Sequence, residues 1–160
     1  MSTGSLGQGL SVAHGMALGL RLDGKAARVY ALLGDGEAEE GMVWEAAMSA
    51  AHYKSDNLCA VLDRNKIQQD GFVANIMNLE PLSDKWRAFG WHVIDIDGHD
   101  IAQVARALEA AETVRGRPTI IIAQTVKGGG VSLFANNPKY HGVPPSDAEL
   151  AAALKELEQR

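Results

Sequence analysis

The segment from Val29 to Glu45 constrains this chain most, because an apolar run, a glycine turn and a helical pattern follow one another there. Val29 to Leu33 is typical of a strand, and Gly34-Asp35-Gly36 separates it from the helical pattern. The start of a helix offers free backbone N–H groups and a positive dipole end, which bind phosphate. The acid Asp35 suits a phosphate site only if a cation such as Mg²⁺ lies between them. The turn predicts either a metal–diphosphate site or an ordinary turn with Asp35 as a solvated cap.

Strands and helices alternate along the rest of the chain. The predicted strands are Arg28 to Leu33, Leu58 to Leu62, Trp91 to Ile96 and Thr119 to Ala123. The predicted helices are Leu10 to Leu22, Glu39 to Tyr53, Leu82 to Phe89, one capped by Asp100, and one from Ser146. This alternation predicts an α/β fold, a doubly wound, mostly parallel sheet with helices on both faces. Residues 1–160 are expected to form a single domain.

Apolar spacing and capping patterns add local predictions. Two capping boxes are expected, one joining Asp100 to Gln103 and one joining Ser146 to Glu149. Residues 65 to 79 are predicted to be an irregular loop. The predicted buried helix positions are Val12, Met16 and Leu20, then Met42, Ala46, Ala50 and Tyr53, and finally Ile101, Val104, Ala105 and Leu108.

Asn65 follows the second strand as Asp35 follows the first. In a parallel sheet, ligands bind beyond the carboxyl ends of the strands, and one crossover separates these two corners. We therefore expect both side chains to reach one ion. A carboxylate and an amide oxygen suit Mg²⁺ when phosphates supply the remaining negative charge. The pair favours the metal–diphosphate site over the solvated cap.

Five further motifs, together with Gly34-Asp35-Gly36-Glu37 and Asn65, resemble the transketolase family of thiamine diphosphate enzymes. They are Ser2-Thr-Gly-Ser-Leu-Gly-Gln-Gly9, Glu45-Ala46 with Ala51-His-Tyr-Lys54, Asp63-Arg-Asn-Lys-Ile-Gln-Gln-Asp-Gly71, Asp97-Gly-His-Asp100 and Asn137-Pro-Lys-Tyr-His-Gly142. The resemblance covers nearly the whole chain and is strongest to the N-terminal subunit of split transketolases. It implies that residues 1–160 are a diphosphate-binding domain of the thiamine diphosphate-binding fold.

The resemblance also implies a set of site residues. Mg²⁺ would be held by Asp35, the Asn65 side chain and the Ile67 carbonyl. The diphosphate would be held at Gly34, Gly36 and Glu37, with N–H groups from Gly36 and the helix start after it. The backbone of Gly4 would accept a hydrogen bond from the aminopyrimidine, and Leu6 would pack on the cofactor. The catalytic candidates are Glu40, in a network across a subunit interface that would bury its carboxylate, and His141, near the diphosphate and the substrate.

The activity implied by the resemblance is transfer of a two-carbon ketol unit from a ketose phosphate to an aldose phosphate, with thiamine diphosphate and Mg²⁺ as cofactors. Activity would need a partner, the C-terminal subunit that carries the pyrimidine-binding domain, in a homo- or hetero-oligomer. The family has about a hundred residues before the motif at Ser2, so the domain is expected to be shortened at its N-terminus. The chain alone is therefore expected to be inactive.

Composition excludes other classes of function. A net charge of -5 without basic clusters argues against nucleic acid as a partner. No apolar run approaches the roughly 20 residues of a membrane span, so no membrane role is expected. The single cysteine, Cys59, is expected to be a small core residue in a cytoplasmic protein. Structural roles are expected for four histidines and for the three tryptophans: His14, His52, His92, His99, Trp44, Trp86 and Trp91.

Two alternatives stay open. One is a different thiamine diphosphate enzyme, of the deoxyxylulose-phosphate synthase or 2-oxo acid dehydrogenase type. The other is a non-catalytic module that binds the cofactor or a partner. A dinucleotide site is disfavoured, because acids follow Gly34-x-Gly36 and the third glycine is misplaced.

Overall fold

The computed structural model describes residues 2–159 and contains a four-stranded parallel sheet between helices. The sheet has the order β1-β2-β6-β5, and a two-stranded hairpin, β3-β4, lies outside it. The strands are β1 Val29–Gly34, β2 Leu58–Arg64, β3 Ile67–Gln68, β4 Gly71–Phe72, β5 His92–Asp97 and β6 Thr119–Gln124. The helices are α1 Gln8–Leu22, α2 Gly41–His52, α3 Val73–Ile76, α4 Leu82–Ala88, α5 Ile101–Thr113 and α6 Asp147–Glu158, with 3-10 turns at Glu37–Glu39 and Pro138–His141. The predicted α/β fold with a parallel sheet is confirmed.

Two apolar clusters cover the two faces of the sheet. The larger cluster joins α1, α2 and α4 to one face, and Trp86 and Trp91 are fully buried within it. The smaller cluster packs α5 against the other face, where Cys59 is buried. Burial raises the pKa of the Cys59 thiol to about 11, so this cysteine is an inert core residue as predicted. Leu32, on the α5 side of the edge strand β1, is 76% exposed.

The predicted buried faces of the helices are partly wrong. Helix α1 buries Leu10, Ala13, His14 and Ala17, and α2 buries Val43, Ala46, Ala47 and Ala50. The predicted Met16, Met42 and Tyr53 are exposed instead. Ile101 and Ala105 are exposed on α5, where Ala107 and Ala111 are buried. Alanine faces the sheet in these helices because a small side chain lets the helix axis approach closely.

Three local predictions also need correction. Helix α2 begins at Gly41 rather than Glu39, because residues Glu37–Glu39 first form a 3-10 turn. Residues 65 to 79 contain the β3-β4 hairpin and α3 instead of an irregular loop. Asp100 caps α5, but Gln103 accepts from the Asp97 N–H instead of completing the box. The capping box of Ser146 and Glu149 is present.

Candidate functional site

Parallel pairing sets the corners after β1 and β2 side by side. Gly34 pairs with Asp63, and Asp63 pairs in turn with Ala123 of β6. The Asp35 N–H donates to the Asp63 carbonyl at 3.2 Å, which ties the two corners together. The spacing of Asp35 and Asn65 therefore predicted their neighbouring corners correctly.

Asp35 is a buried carboxylate and not a solvated cap. Only 1% of the residue is exposed. Its Oδ1 accepts from the Gly36 N–H at 2.8 Å, and its Oδ2 accepts from the Lys66 N–H at 2.5 Å and from Arg64 Nη1 at 3.5 Å. Burial raises the pKa of Asp35 above its ordinary value, and these donors only partly oppose that rise. The corner therefore holds a carboxylate whose charge would be stabilised by a cation.

The amide of Asn65 is oriented by its own loop. Its Nδ2 donates to Asp63 Oδ2 at 3.0 Å, and its Oδ1 accepts from the Ile67 N–H at 3.0 Å. The Thr125 hydroxyl donates to the other oxygen of Asp63. The Asn65 amide donates to Asp63 on one side and accepts from Ile67 on the other, so its direction is fixed from both sides.

The oxygen atoms at this corner fit Mg²⁺ only together with a diphosphate. Asp35, Asn65 and the carbonyl of Ile67 are the hard oxygen donors that Mg²⁺ prefers. Within residues 2–159, no group of three or more His, Cys, Asp or Glu side chains is placed to hold a metal ion. The protein ligands carry a single negative charge, so phosphate oxygens would have to complete the coordination and balance the charge of the ion.

Arg64 is a site residue that the sequence reasoning missed. Besides Asp35, its guanidinium contacts the Glu80 carboxylate, and only 9% of Arg64 is exposed. A hydrogen bond from the Leu82 N–H and one from Arg64 lower the pKa of Glu80. The signal was present in Asp63-Arg64-Asn65, where a cation directly precedes the predicted site residue Asn65.

Glu37 connects two glycine-containing segments of the site. Its Oε1 accepts from the Gly7 N–H at 3.0 Å, and its Oε2 accepts from the Gly34 N–H at 3.3 Å. The side chain is buried. Sequence reasoning could not find this link, because it depends on where the fold places the backbone of Gly7.

The loop before α1 exposes the two residues predicted to meet the aminopyrimidine end of the cofactor. The Gly4 carbonyl accepts from the Leu6 N–H at 2.8 Å, and Leu6 is 58% exposed. A carbonyl oxygen has two lone pairs, so Gly4 keeps capacity for one more donor.

Gly36 is required by a close approach of the β3-β4 hairpin. A Cβ added at Gly36 would lie 2.5 Å from the Cβ of Gln68. Any other residue at this position would push the hairpin away from the corner. The hairpin therefore fixes the wall of the site beside Asp35.

A cavity of about 910 Å³ opens over the two corners. It collects nine of the predicted site residues, namely Gly4, Gly34, Asp35, Gly36, Glu37, Glu40, Asn65, Ile67 and His141. Leu6 is the predicted residue that does not line it. The fold therefore brings these residues to one opening, although they are spread over most of the chain.

Glu39 and Glu40 lie where the 3-10 turn meets helix α2. Glu40 is exposed on the described chain. Glu39 was interpreted as simple helix stabilisation, yet its Oε1 is buried without a hydrogen-bond partner among the described residues. Burial, Asp35 and Glu40 together raise the pKa of Glu39.

His141 lies on the 3-10 turn Pro138–His141, between two cavities. It and Lys127 line both the large cavity and a second one of about 550 Å³, whose other walls include Phe134 and Tyr140. The second cavity was not predicted. It gives His141 access to a space beyond the large cavity.

Two of the remaining histidines have clear structural contacts. His99 Nε2 accepts from the Val126 N–H at 2.8 Å, which confirms its role in a turn. His14 is buried between α1 and α2, with Nε2 3.0 Å from Ser49 Oγ and Nδ1 3.3 Å from Ser55 Oγ. Burial, and secondarily Arg21, lower the pKa of His14.

Comparison with known proteins identifies the kind of domain. The family model for the thiamine diphosphate binding domain of transketolase matches residues 1–159. The chain is 46% identical over 159 residues to the 6-deoxy-6-sulfo-D-fructose transketolase subunit SqwG of Clostridium sp. strain MSTE9. It is 43% identical over 157 residues to a subunit of the apulose-4-phosphate transketolase of Actinobacillus succinogenes. These alignments cover 99% and 98% of this chain, but 58% and 56% of the two relatives.

Solved structures agree with the sequence comparison. The transketolase of Campylobacter jejuni superposes with a TM-score of 0.90 at 32% identity, covering 99% of this chain and 26% of that one. A transketolase of Pichia stipitis gives a TM-score of 0.76 at 26% identity, covering 98% of this chain and 28% of that one. Within residues 2–159, no helix has both the length and the apolar character needed to cross a bilayer. These relatives favour a transketolase over the other thiamine diphosphate enzymes that the sequence left open.

Proposed function

Because the chain belongs to the transketolase family through its thiamine diphosphate-binding domain, we propose that it forms the diphosphate- and Mg²⁺-binding part of a transketolase. The proposed reaction moves a two-carbon ketol unit from a ketose phosphate to an aldose phosphate. The names of two relatives refer to a sulfo-sugar and to a sugar phosphate, both of which are anionic sugars. The proposed location is the cytoplasm, where the single thiol of Cys59 stays reduced.

The observation that carries this proposal is the buried carboxylate of Asp35 beside the oriented amide of Asn65. Burying a carboxylate costs free energy unless a cation or hydrogen-bond donors compensate for it. Here Asp35 and the Asn65 oxygen, with the Ile67 carbonyl, would hold Mg²⁺ against a diphosphate. Gly34 and Gly36, which carry no side chains, would let the backbone of this corner approach the phosphate oxygens closely.

The remaining predicted residues surround the same opening. Gly4 would accept a hydrogen bond at its carbonyl, and the exposed side chain of Leu6 would pack against the aromatic part of the cofactor. His141 would donate to or accept from the substrate where the two cavities meet. Glu40, exposed on this chain, would be covered by a second subunit, whose network it would join.

Thiamine diphosphate, when bound, supplies the electron sink that stabilises the two-carbon carbanion. The chain's own contribution is to bind and orient the diphosphate end. The chain spans just over half the length of the two transketolase subunits compared above. We propose that a second polypeptide with the pyrimidine-binding domain completes the site. Both relatives are named as transketolase subunits, which supports a partner subunit for this chain.

Calorimetric titration and a ketol-transfer assay test the proposal together. The purified chain is titrated with thiamine diphosphate and Mg²⁺, alone and mixed with the C-terminal subunit of a split transketolase. We expect Mg²⁺-dependent binding by the chain, and turnover only in the mixture. Binding without turnover in any mixture would favour a non-catalytic cofactor-binding module, and absence of Mg²⁺-dependent binding in both samples would contradict the proposed function.

A further inference from the structure

The buried carboxylate of Glu37 lies between the two glycine segments that meet opposite ends of the proposed cofactor. One oxygen accepts from the Gly7 N–H at 3.0 Å and the other accepts from the Gly34 N–H at 3.3 Å. Gly7 ends the loop that carries Gly4, and Gly34 begins the corner that carries Asp35. A single side chain therefore joins two segments that are far apart in the sequence.

Two acceptor atoms are needed for this link, and only a carboxylate supplies both in this shape. A glutamine of the same size has one accepting oxygen, and its NH₂ group would face the second N–H as a donor. Hydrogen bonds to a charged acceptor are also about twice as strong as neutral ones. The identity of residue 37 as an acid is therefore a chemical requirement of the link.

The packing around Gly7 supports a fixed separation between these segments. Gly7 has a φ of +75°, and a Cβ added there would lie 2.8 Å from Glu40 Cβ and 2.9 Å from Met42 Cγ. The loop thus rests directly on the turn after Glu37. The close packing at Gly7 and the two hydrogen bonds to Glu37 together hold the loop against the corner.

We propose that Glu37 is a positioning residue that sets the distance between the Gly4 loop and the diphosphate corner, and that it does not itself bind the cofactor. Both of its oxygens already accept protein N–H groups, and its carboxylate would repel a phosphate, which is also an anion. This inference rests on the proposed function, because the distance matters only for a ligand that spans both segments. Loss of Glu37 should therefore weaken the binding of a ligand that spans both segments more than the binding of a short ligand.

The test compares Glu37→Gln with Glu45→Gln, which removes the same charge from an exposed position on α2. In amide hydrogen exchange measured by NMR without ligand, we expect the Gly7 or Gly34 amide of Glu37→Gln to exchange about tenfold faster or more, as loss of a charged hydrogen bond implies. Glu45→Gln should match the wild type at both amides. Wild-type exchange at both amides in Glu37→Gln would overturn the proposed link.

Ligand length then separates positioning from direct binding or general loss of structure. With Mg²⁺ present, Glu37→Gln should bind thiamine diphosphate about tenfold more weakly or worse, while its affinity for inorganic diphosphate stays that of the wild type. Equal weakening of both ligands would overturn the positioning role, as would no change in either. If the wild-type chain binds neither ligand, the proposed function fails, and the exchange experiment still decides whether Glu37 links the two segments.

Discussion

Two regions of the molecule bury different kinds of polar side chain. One is the corner that follows β1 and β2, and the other is the apolar layer formed by α1, α2 and α4. Among the described residues, the buried charged side chains are Asp35, Glu37 and Arg64, and all three contact the corner. The apolar layer instead buries the neutral pair His14 and Ser55. Buried charges cost folding free energy even when paired, so we expect this corner to contribute less to stability than the apolar layer does.

The layer, by contrast, is organised around aromatic packing. Trp86 is fully buried, and its ring centroid lies 5.0 Å from those of both Trp44 and Trp91. Aromatic side chains contribute large apolar areas to a core. We therefore expect stability and the proposed ligand binding to depend on separate parts of the chain, so that mutations separate the two properties.

The largest effect on stability is expected from Trp86→Ala in the apolar layer. Removing a buried aromatic side chain costs about 3–5 kcal/mol through lost burial and the cavity that remains. The Nε1 of Trp86 has no hydrogen-bond partner among the described residues, so the loss should come from packing alone. Urea unfolding followed by circular dichroism measures the change in the free energy of unfolding.

Trp86→Phe is the matched control and should lose less stability, because it keeps an aromatic ring in the same place. Separate roles for the two regions would be contradicted if Trp86→Ala unfolded no more readily than the wild type. They would also be contradicted if the folded fraction of Trp86→Ala bound Mg²⁺ and diphosphate as weakly as a variant of Asp35.

A smaller effect is expected from the pH dependence of His14, the polar group within the apolar layer. Its pKa in the folded chain lies below the ordinary value of 6.5, chiefly because of burial and secondarily because of Arg21. Below pH 6.5 the unfolded chain therefore binds the proton first, and His14 lowers the free energy of unfolding as the pH falls through its folded pKa. Above pH 6.5 this contribution to stability is fully present.

His14→Gln should flatten part of this slope in urea unfolding measured at several pH values. His92, whose pKa is also lowered by burial and by Arg117, should account for a further part, so His92→Gln serves as a comparison. An unchanged slope in His14→Gln would show that the proton of His14 is not linked to folding, and the account of the layer would then need revision.

The corner was predictable from sequence to a greater degree than the helix faces. Asp35 and Asn65 directly follow apolar strands, and the parallel topology leaves little choice about where such residues lie. Helix faces were harder, because Met16 and Tyr53 are apolar but too long for a close approach to the sheet, and alanines are buried in their place. Hydrophobic spacing alone does not carry that information on size.

Links between side chains and distant backbone groups could not be predicted. The bonds from Gly7 and Gly34 to Glu37 and the contact of Arg64 with Asp35 depend on tertiary placement. The family motif marked Glu37 for the cofactor, whereas the structure shows its oxygens engaged by the protein itself. The sequence therefore predicted residues that line the large cavity, but not the hydrogen bonds that hold them in position.

The most direct test of the metal–diphosphate corner replaces Mg²⁺ with paramagnetic Mn²⁺ and records amide NMR spectra with inorganic diphosphate. The account predicts that line broadening is strongest at Asp35, Gly36, the Asn65 side-chain amide and Ile67, and weak at His92, which begins β5 at the opposite edge of the sheet. The broadening should depend on diphosphate and should be lost in Asp35→Asn. Broadening that is strongest elsewhere, or that persists in Asp35→Asn, would contradict a metal–diphosphate site at this corner.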